Sequence, residues 1–435
     1  MQRSPKVIHV LAAALFYFLP PALAGELRDF SAIDRHALAA PPELKQAPKK
    51  LVAYLIAPAQ DDVDKARAIF RWLTDNVEYD IASYRSGAVS ALLAEDVLAS
   101  GKAMCSGYAT LFGELAQLAG LEVVSVHGYA KGFDYRPGDT VGAANHDWNA
   151  VRLQGRWQLI DSTWGAGGVD ETGSYRRRFQ PHYFLTDPAQ LAYSHWPEER
   201  QWRLLDTEQT ADGFAALVRP TPTFFELGLG LGPQRTHTLQ PHCNRFEVVL
   251  DVPTDVVLTA TLTQPGRLLD RSTLVQREQR QARIQVLLPD NGEYRLNLYA
   301  KPRADKNGPF EPVLTYRIVA QGLSATTARL PESYVTFREY QSQLLAPLAG
   351  QLPNGQVQAF ALTVPEAVEV AVVSADGQWF KLARNGQQFA GEALIGGPVT
   401  VVASFDATAK NYFTLLGYSG VAADALPAVL PTCVP

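Results

Sequence analysis

The sequence predicts an α+β unit followed by two all-β, sandwich-like units. Three observations predict it. Apolar residues recur at helical spacing mainly between residues 61 and 120, and the period then changes toward two around a Gln-Gly turn. Beyond about residue 215, short alternating strands separated by Pro, Asp, Asn and Gly continue almost to the C-terminus. The chain is also long enough for this plan, since 435 residues exceed the roughly 100–200 that one core usually serves.

Composition narrows the class. Hydrophobic residues at 47% against charged ones at 19% describe globular units rather than a disordered chain. The formal charge of −5, with no long block of one sign, gives no electrostatic case for nucleic acid or an acidic membrane surface.

Taken in order, residues 1–24 read as a secretory signal: a basic start (Arg3, Lys6), an apolar run from Val10 to Leu19, and the small-x-small pattern Ala22, Leu23, Ala24. The run falls short of the roughly 20 residues that span a bilayer, so cleavage after Ala24 is expected rather than a membrane anchor. The mature chain is then expected to be exported, periplasmic or secreted, without a membrane span. Residues 25–60 form a lead-in. In "DDVDKARAIFRWLTDNVEY", Ala66, Ile69, Phe70, Leu73 and Val77 share a helix face, with acidic residues ahead of the first turn. "ALLAEDVLAS" predicts a short helix stopped by Gly101. In "GKAMCSGYATLFGELAQLAG" the stripe Tyr108, Leu111, Phe112, Leu115, Leu118, Ala119 predicts a helix ending at Gly120, with Cys105 at its first turn or just before. Strands follow at "EVVSVHGYA", "HDWNAVRL" and "RWQLIDSTW", the last two joined by Gln154-Gly155. This unit is assigned residues 61–205. Strands such as "NRFEVVLDV" and "GEYRLNLYA" define a β-sandwich over 206–325, and "VQAFALTV" to "NYFTLLGY" a second over 326–435.

Export would favour pairing of thiols, and there are three cysteines. Cys243 and Cys433 either bridge or remain two free thiols. Cys105 is the odd one. A helix start favours the thiolate and offers N–H groups to an oxyanion, which suits a nucleophile. A small buried cysteine is the plain alternative.

A base and an orienting carboxylate are placed by register. If Gln154-Gly155 is a two-residue hairpin loop, Leu153 lies opposite Arg156 and Trp148 opposite Asp161. His146, two residues from Trp148, then shares the face of Asp161 on the diagonal, roughly 7–8 Å away between backbones. A slip of one residue would separate them. Cys105, His146 and Asp161 are therefore the candidate nucleophile, base and orienting acid.

These stretches, "GKAMCSGYATLFGELAQLAGL" and "NHDWNAVRLQGRWQLIDSTWGAG" in the order Cys, His, Asp, resemble the transglutaminase-like superfamily, whose members include transglutaminases, peptide N-glycanases and related cysteine peptidases. "HYFLTDPAQLAYSHWPEERQWRLL" is similar to the kyphoscoliosis-peptidase-like subgroup, which often carries β domains afterwards. The resemblance covers roughly residues 60–205. It implies a papain-like α+β core, Cys105 as nucleophile, His146 as base and then acid, and Asp161 as its orienting carboxylate. A second oxyanion donor upstream of the cysteine is implied too, with Tyr79 and Trp72 as candidates. Arylamine N-acetyltransferases share the residue order, but their residues before the cysteine do not match "GKAMC".

Other side chains have ordinary readings. Trp148, Trp157 and Trp164 wall a cleft or simply pack the sheet, and Asp147 points to the opposite face. Arg176, Arg177 and Arg178 read as a solvated loop face. His127, His182 and His195 have no metal-ligand spacing, and Asp134, Asp139 and Asp170 no EF-hand pattern, so neither metal nor cofactor is implied. Gly165, Gly167 and Gly168 end a strand or loosen a loop beside Asp161. The expected activity is that of a cysteine peptidase or amidase acting on a protein or peptide through a thioester. The alternatives are acyl transfer to an amine, or a silent interaction module that binds a protein or cell-envelope partner through the β domains.

Overall fold

The computed structural model describes residues 28–88, 92–170, 172–428 and 432–433; the segment expected to be a signal, residues 1–24, lies outside them. Helix α1 (Asp62–Asn76) begins where the Asp61 carboxylate accepts the amide of Asp64, and it buries Ala66, Ile69, Phe70 and Leu73 as its periodicity requires. The lead-in adds to the same core, with Ile33, Ala37, Leu51, Val52 and Leu55 packed there. Arg67 of α1 binds Asp34 at 2.7 Å, which ties the lead-in down.

Helix α2 (Cys105–Leu118) buries Tyr108, Leu111, Phe112 and Leu115. Leu118, expected on that stripe, is instead 44% exposed, because the helix ends there at the rim of the core. The short helix before it runs Ala94–Ser100 and stops at Gly101 with φ 67°, a conformation suited to glycine.

Behind α2 lies a five-stranded antiparallel sheet of β1 (Glu122–Ala130), β2 (His146–Leu153), β3 (Arg156–Ile160), β4 (Phe184–Thr186) and β5 (His195–Pro197), in the order β4-β3-β2-β1-β5. Leu153 pairs with Arg156 and Asn149 with Ile160, the expected register. Gln154 (φ 48°) and Gly155 (φ 77°) both take left-handed backbone, as a tight hairpin of this hand demands. The expected strand through Trp164 stops at Ile160, however. Asp161 caps a helical turn, α3 (Ser162–Ala166), by accepting the amides of Thr163 and Trp164, and this local bond competes successfully with the ladder.

Two β units follow, each of two packed sheets. One core contains Phe246, Val248, Ile284, Leu296 and Tyr316, the other Phe360, Val370, Val401 and Leu416. Leu274 and Leu287 of the first unit join the second core, so the pair is in apolar contact. Cys243 and Cys433 form a disulfide that returns the chain end to the first unit, where Thr432–Cys433 pairs with Arg245–Phe246. No helix among the described residues is long and apolar enough to cross a membrane.

Candidate active site

Each candidate residue is positioned by a different element. Cys105 is the first residue of α2, half-buried, and it is the free cysteine among the described residues. His146 opens β2 and Asp161 follows β3, so the hairpin register carries both to one face. His146 Nε2 lies 2.8 Å from Asp161 Oδ2. The Cys105 sulfur acts on the charge of the same imidazole, whose Nδ1 is the ring nitrogen not engaged with Asp161. The α2 helix is held to β2 by Asn149, whose amide donates to Ala109 O at 3.1 Å.

Burial would push the His146 imidazolium down, but the Asp161 carboxylate and then the Cys105 sulfur outweigh it and raise His146 to about 10. Burial likewise opposes ionisation of Asp161, yet His146 and His195 hold its carboxyl well below the usual carboxylate range. The result is a buried pair that favours charge over neutrality.

His195 was missed by the sequence reading, which weighed it only as a metal ligand. Its Nε2 lies 3.1 Å from Asp161 Oδ2, and its Nδ1 lies 2.9 Å from Ser194 Oγ. Burial keeps this ring neutral, so Nε2–H donates to the carboxylate and Nδ1 accepts from the serine hydroxyl. Asp161 therefore receives both imidazoles on Oδ2 and two backbone amides, at 2.9 and 3.0 Å, on Oδ1. His146, Asp161 and His195 also form the group whose donor atoms, all within 4.8 Å of one another, could surround a metal ion. The approach of β5 depends on Gly128, opposite both His146 and Pro197: a Cβ there would meet Trp196 O at 2.4 Å and the Trp148 ring at 2.6 Å. A glycine inside an alternating strand was the available signal.

A cavity of about 580 Å³ opens over His146 and Trp164. Tyr79 lines it, brought beside the approach to Cys105 by parallel pairing of Glu78–Tyr79 with Lys102–Ala103. Burial, then the neighbouring sulfur, push the Tyr79 phenol far up, so it remains an O–H donor. Trp72, the other candidate, is 2% exposed inside the core. Trp148 is buried and stacks against His146, while Trp157 packs on Trp202 away from the cavity. Asp147 bonds His127 on the opposite sheet face. Arg176 and Arg178 line the cavity, whereas Arg177 donates to Thr74 O at 2.8 Å. Gly167 and Gly168 pair with Arg177 and Arg176 in a small hairpin at its edge.

Comparison with known proteins identifies two domains. Residues 49–162 match the model of the transglutaminase-like superfamily, and residues 212–331 that of the KY-like, immunoglobulin-like domain. The chain therefore carries a transglutaminase-like domain and a KY-like, immunoglobulin-like domain. Mouse kyphoscoliosis peptidase is 28% identical over 81% of this chain and 50% of its own length; the human protein is 31% identical over 65% and 42%. Hillarin of Drosophila melanogaster is 31% identical over 46% of this chain and 26% of its own. The transglutaminase-like chain thus spans half or less of the length of these relatives.

Proposed function

We propose that this transglutaminase-like protein is an exported thiol enzyme, a peptidase or amidase acting through Cys105, His146 and Asp161. One observation carries the reading: the buried His146 imidazole that binds the Asp161 carboxylate at 2.8 Å is also under the influence of the Cys105 sulfur. The names of the kyphoscoliosis peptidases support hydrolysis, and the Cys243–Cys433 disulfide supports an oxidising compartment.

In this mechanism the Cys105 thiolate attacks the carbonyl carbon, forming a C–S bond while the carbonyl π electrons move onto oxygen. The Cys105 amide, at the unsatisfied start of α2, and the Tyr79 hydroxyl are the donors offered to that oxyanion. As the oxyanion collapses the C–N bond breaks, and the His146 imidazolium gives its proton to the departing amine. The thioester is then attacked by water, whose proton His146 takes; the C–S bond breaks and the acid leaves. Asp161 remains ionised throughout and holds the ring.

The test is alkylation of Cys105 by iodoacetamide between pH 5 and 9 in the wild type, His146→Ala and Asp161→Asn. Rapid labelling at pH 6 that is lost in the His146 variant supports an activated pair. Labelling that simply follows an ordinary thiol in all three proteins overturns the reading.

A further inference from the structure

We propose that residues 219–222, near the start of the matched immunoglobulin-like domain, form a recognition wall of the cleft, and that Arg219 selects acyl substrates carrying a carboxylate. The proposal rests on the reading of Cys105 as nucleophile and adds what that nucleophile is given.

The segment is fixed from both sides. Val218 N donates to Arg235 O at 2.8 Å, Thr221 N to Val313 O at 3.0 Å and Thr221 Oγ1 to Pro312 O at 2.9 Å, all on the first β unit. On the catalytic side, Arg219 Nη1 donates to Lys131 O at 2.6 Å, at the end of β1. Arg219, Pro220, Thr221 and Pro222 thereby line the same cavity as His146. The cleft is a product of both domains.

The charges around the cavity are almost all satisfied. Asp170 binds Arg176 at 2.7 Å, Asp134 accepts the Tyr84 hydroxyl, Asp139 accepts the Arg136 amide at 2.7 Å, and Arg178 faces Glu311 at 3.8 Å. Arg219 differs. Its side chain reaches the cavity surface; the surrounding protein pushes the guanidinium down, the phenols of Tyr183 and Tyr135 act the other way, and no carboxylate pairs with it among the described residues. Its charge also acts on His195, which donates to Asp161, so it lies within electrostatic reach of the reacting centre. A planar fork with one N–H committed to a carbonyl keeps others for a carboxylate, in a cleft whose aromatic walls limit competing water.

The experiment uses reagents in matched pairs on the full chain. N-iodoacetylglycine against its amide presents a terminal carboxylate; N-iodoacetylglutamate α-amide against the glutamine analogue presents a side-chain carboxylate. In each case the Cys105 sulfur bonds to the methylene carbon and iodide leaves with the C–I electron pair. At pH 9 an ordinary thiol also reacts, so the ratio of anionic to neutral rate constants is measurable whether or not Cys105 is activated. In Arg219→Gln that ratio is expected to fall about fivefold for at least one pair, and in Arg219→Lys by less than about twofold. The pair that responds more tells which carboxylate is read. An unchanged ratio in Arg219→Gln, or an equal fall in Arg178→Gln, overturns the proposal. A ratio that responds as expected, together with an unreactive thiol at pH 6, would instead remove the enzymatic reading and leave the anion site standing.

Discussion

Asp161 and Lys131 are both buried ions, at 1% and 0% exposure, and they respond to burial in opposite ways. Asp161 is surrounded by four donors, two of them imidazoles, and its charge is reinforced. Lys131, at the domain junction, meets carbonyl dipoles and two aromatic rings but no carboxylate. Its Nζ donates to Phe214 O at 2.7 Å and Leu217 O at 2.8 Å, at the end of a six-residue helix (Ala211–Ala216), and sits 4.4 Å from the Phe214 centroid. Burial, aided by the nearby Arg219, brings it down to about 7. The lesson is that the partner, rather than depth, decides whether a buried group keeps its charge: carbonyl dipoles compensate desolvation less than a full countercharge does.

The comparison can be broken most directly at the carboxylate. Asp161→Asn preserves shape but removes the charge and can present an N–H where His146 needs an acceptor. Turnover is expected to fall roughly ten-thousandfold, as orienting-acid losses do elsewhere, and thiol labelling at pH 6 to fall toward that of an ordinary thiol, by about a hundredfold or more. A loss under tenfold would show that the ion pair is dispensable.

A second, half-buried group without a carboxylate sharpens the point. His182 stacks on Phe225 and is pushed down to about 4, first by burial and then by His195. Its folded value lies below the unfolded one near 6.5, so the unfolded chain binds the proton first. Stability should therefore fall from pH 6.5 toward 4 and level off beneath, by up to about 3 kcal/mol from this group. Urea titrations at pH 7 and 4 on wild type and His182→Phe would measure it, the variant losing less.

At the junction, Lys131→Met keeps the apolar stem but removes the donors, leaving helix-end carbonyls unpaired at an expected cost of about 2 kcal/mol. Lys131 also has a folded value below its unfolded one, so wild-type stability from this group rises from pH 7 to about 10. His146, raised to about 10, acts the other way: its stabilisation is complete below about 6.5 and disappears as pH rises through 10. The Lys131 variant should consequently lose stability more steeply than wild type between pH 7 and 10. Identical slopes would show that Lys131 does not titrate in that range.

The smallest effect is expected at His195, which positions Asp161 without facing the sulfur. In His195→Gln the amide can restore one N–H to Oδ2, and labelling of Cys105 at pH 6 should fall no more than about tenfold, with His195→Phe lower than His195→Gln. Equal loss in both variants would mean that only packing is involved.

What the sequence by itself determined is local in origin. The Gln154-Gly155 turn and the period-two pattern set the β2–β3 register, and that register puts His146 and Asp161 on one face. The apolar stripe and Gly120 placed Cys105 at a helix start, and strand spacing announced the two β units. Even there, the capping bond of Asp161 ended its strand four residues early, since one side chain can take over amides that a pattern assigns to a ladder. Only the tertiary structure decided what meets across long separations. His195 reaches Asp161 from 34 positions away, Arg219 reaches Lys131 from 88, and Cys433 reaches Cys243 from 190. Periodicity and turn chemistry act over a few residues, whereas these contacts depend on how closely finished elements pack, as Gly128 shows where it admits β5. The orienting hydrogen bonds and the cleft wall are consequences of that packing, and no short stretch of the chain contains them.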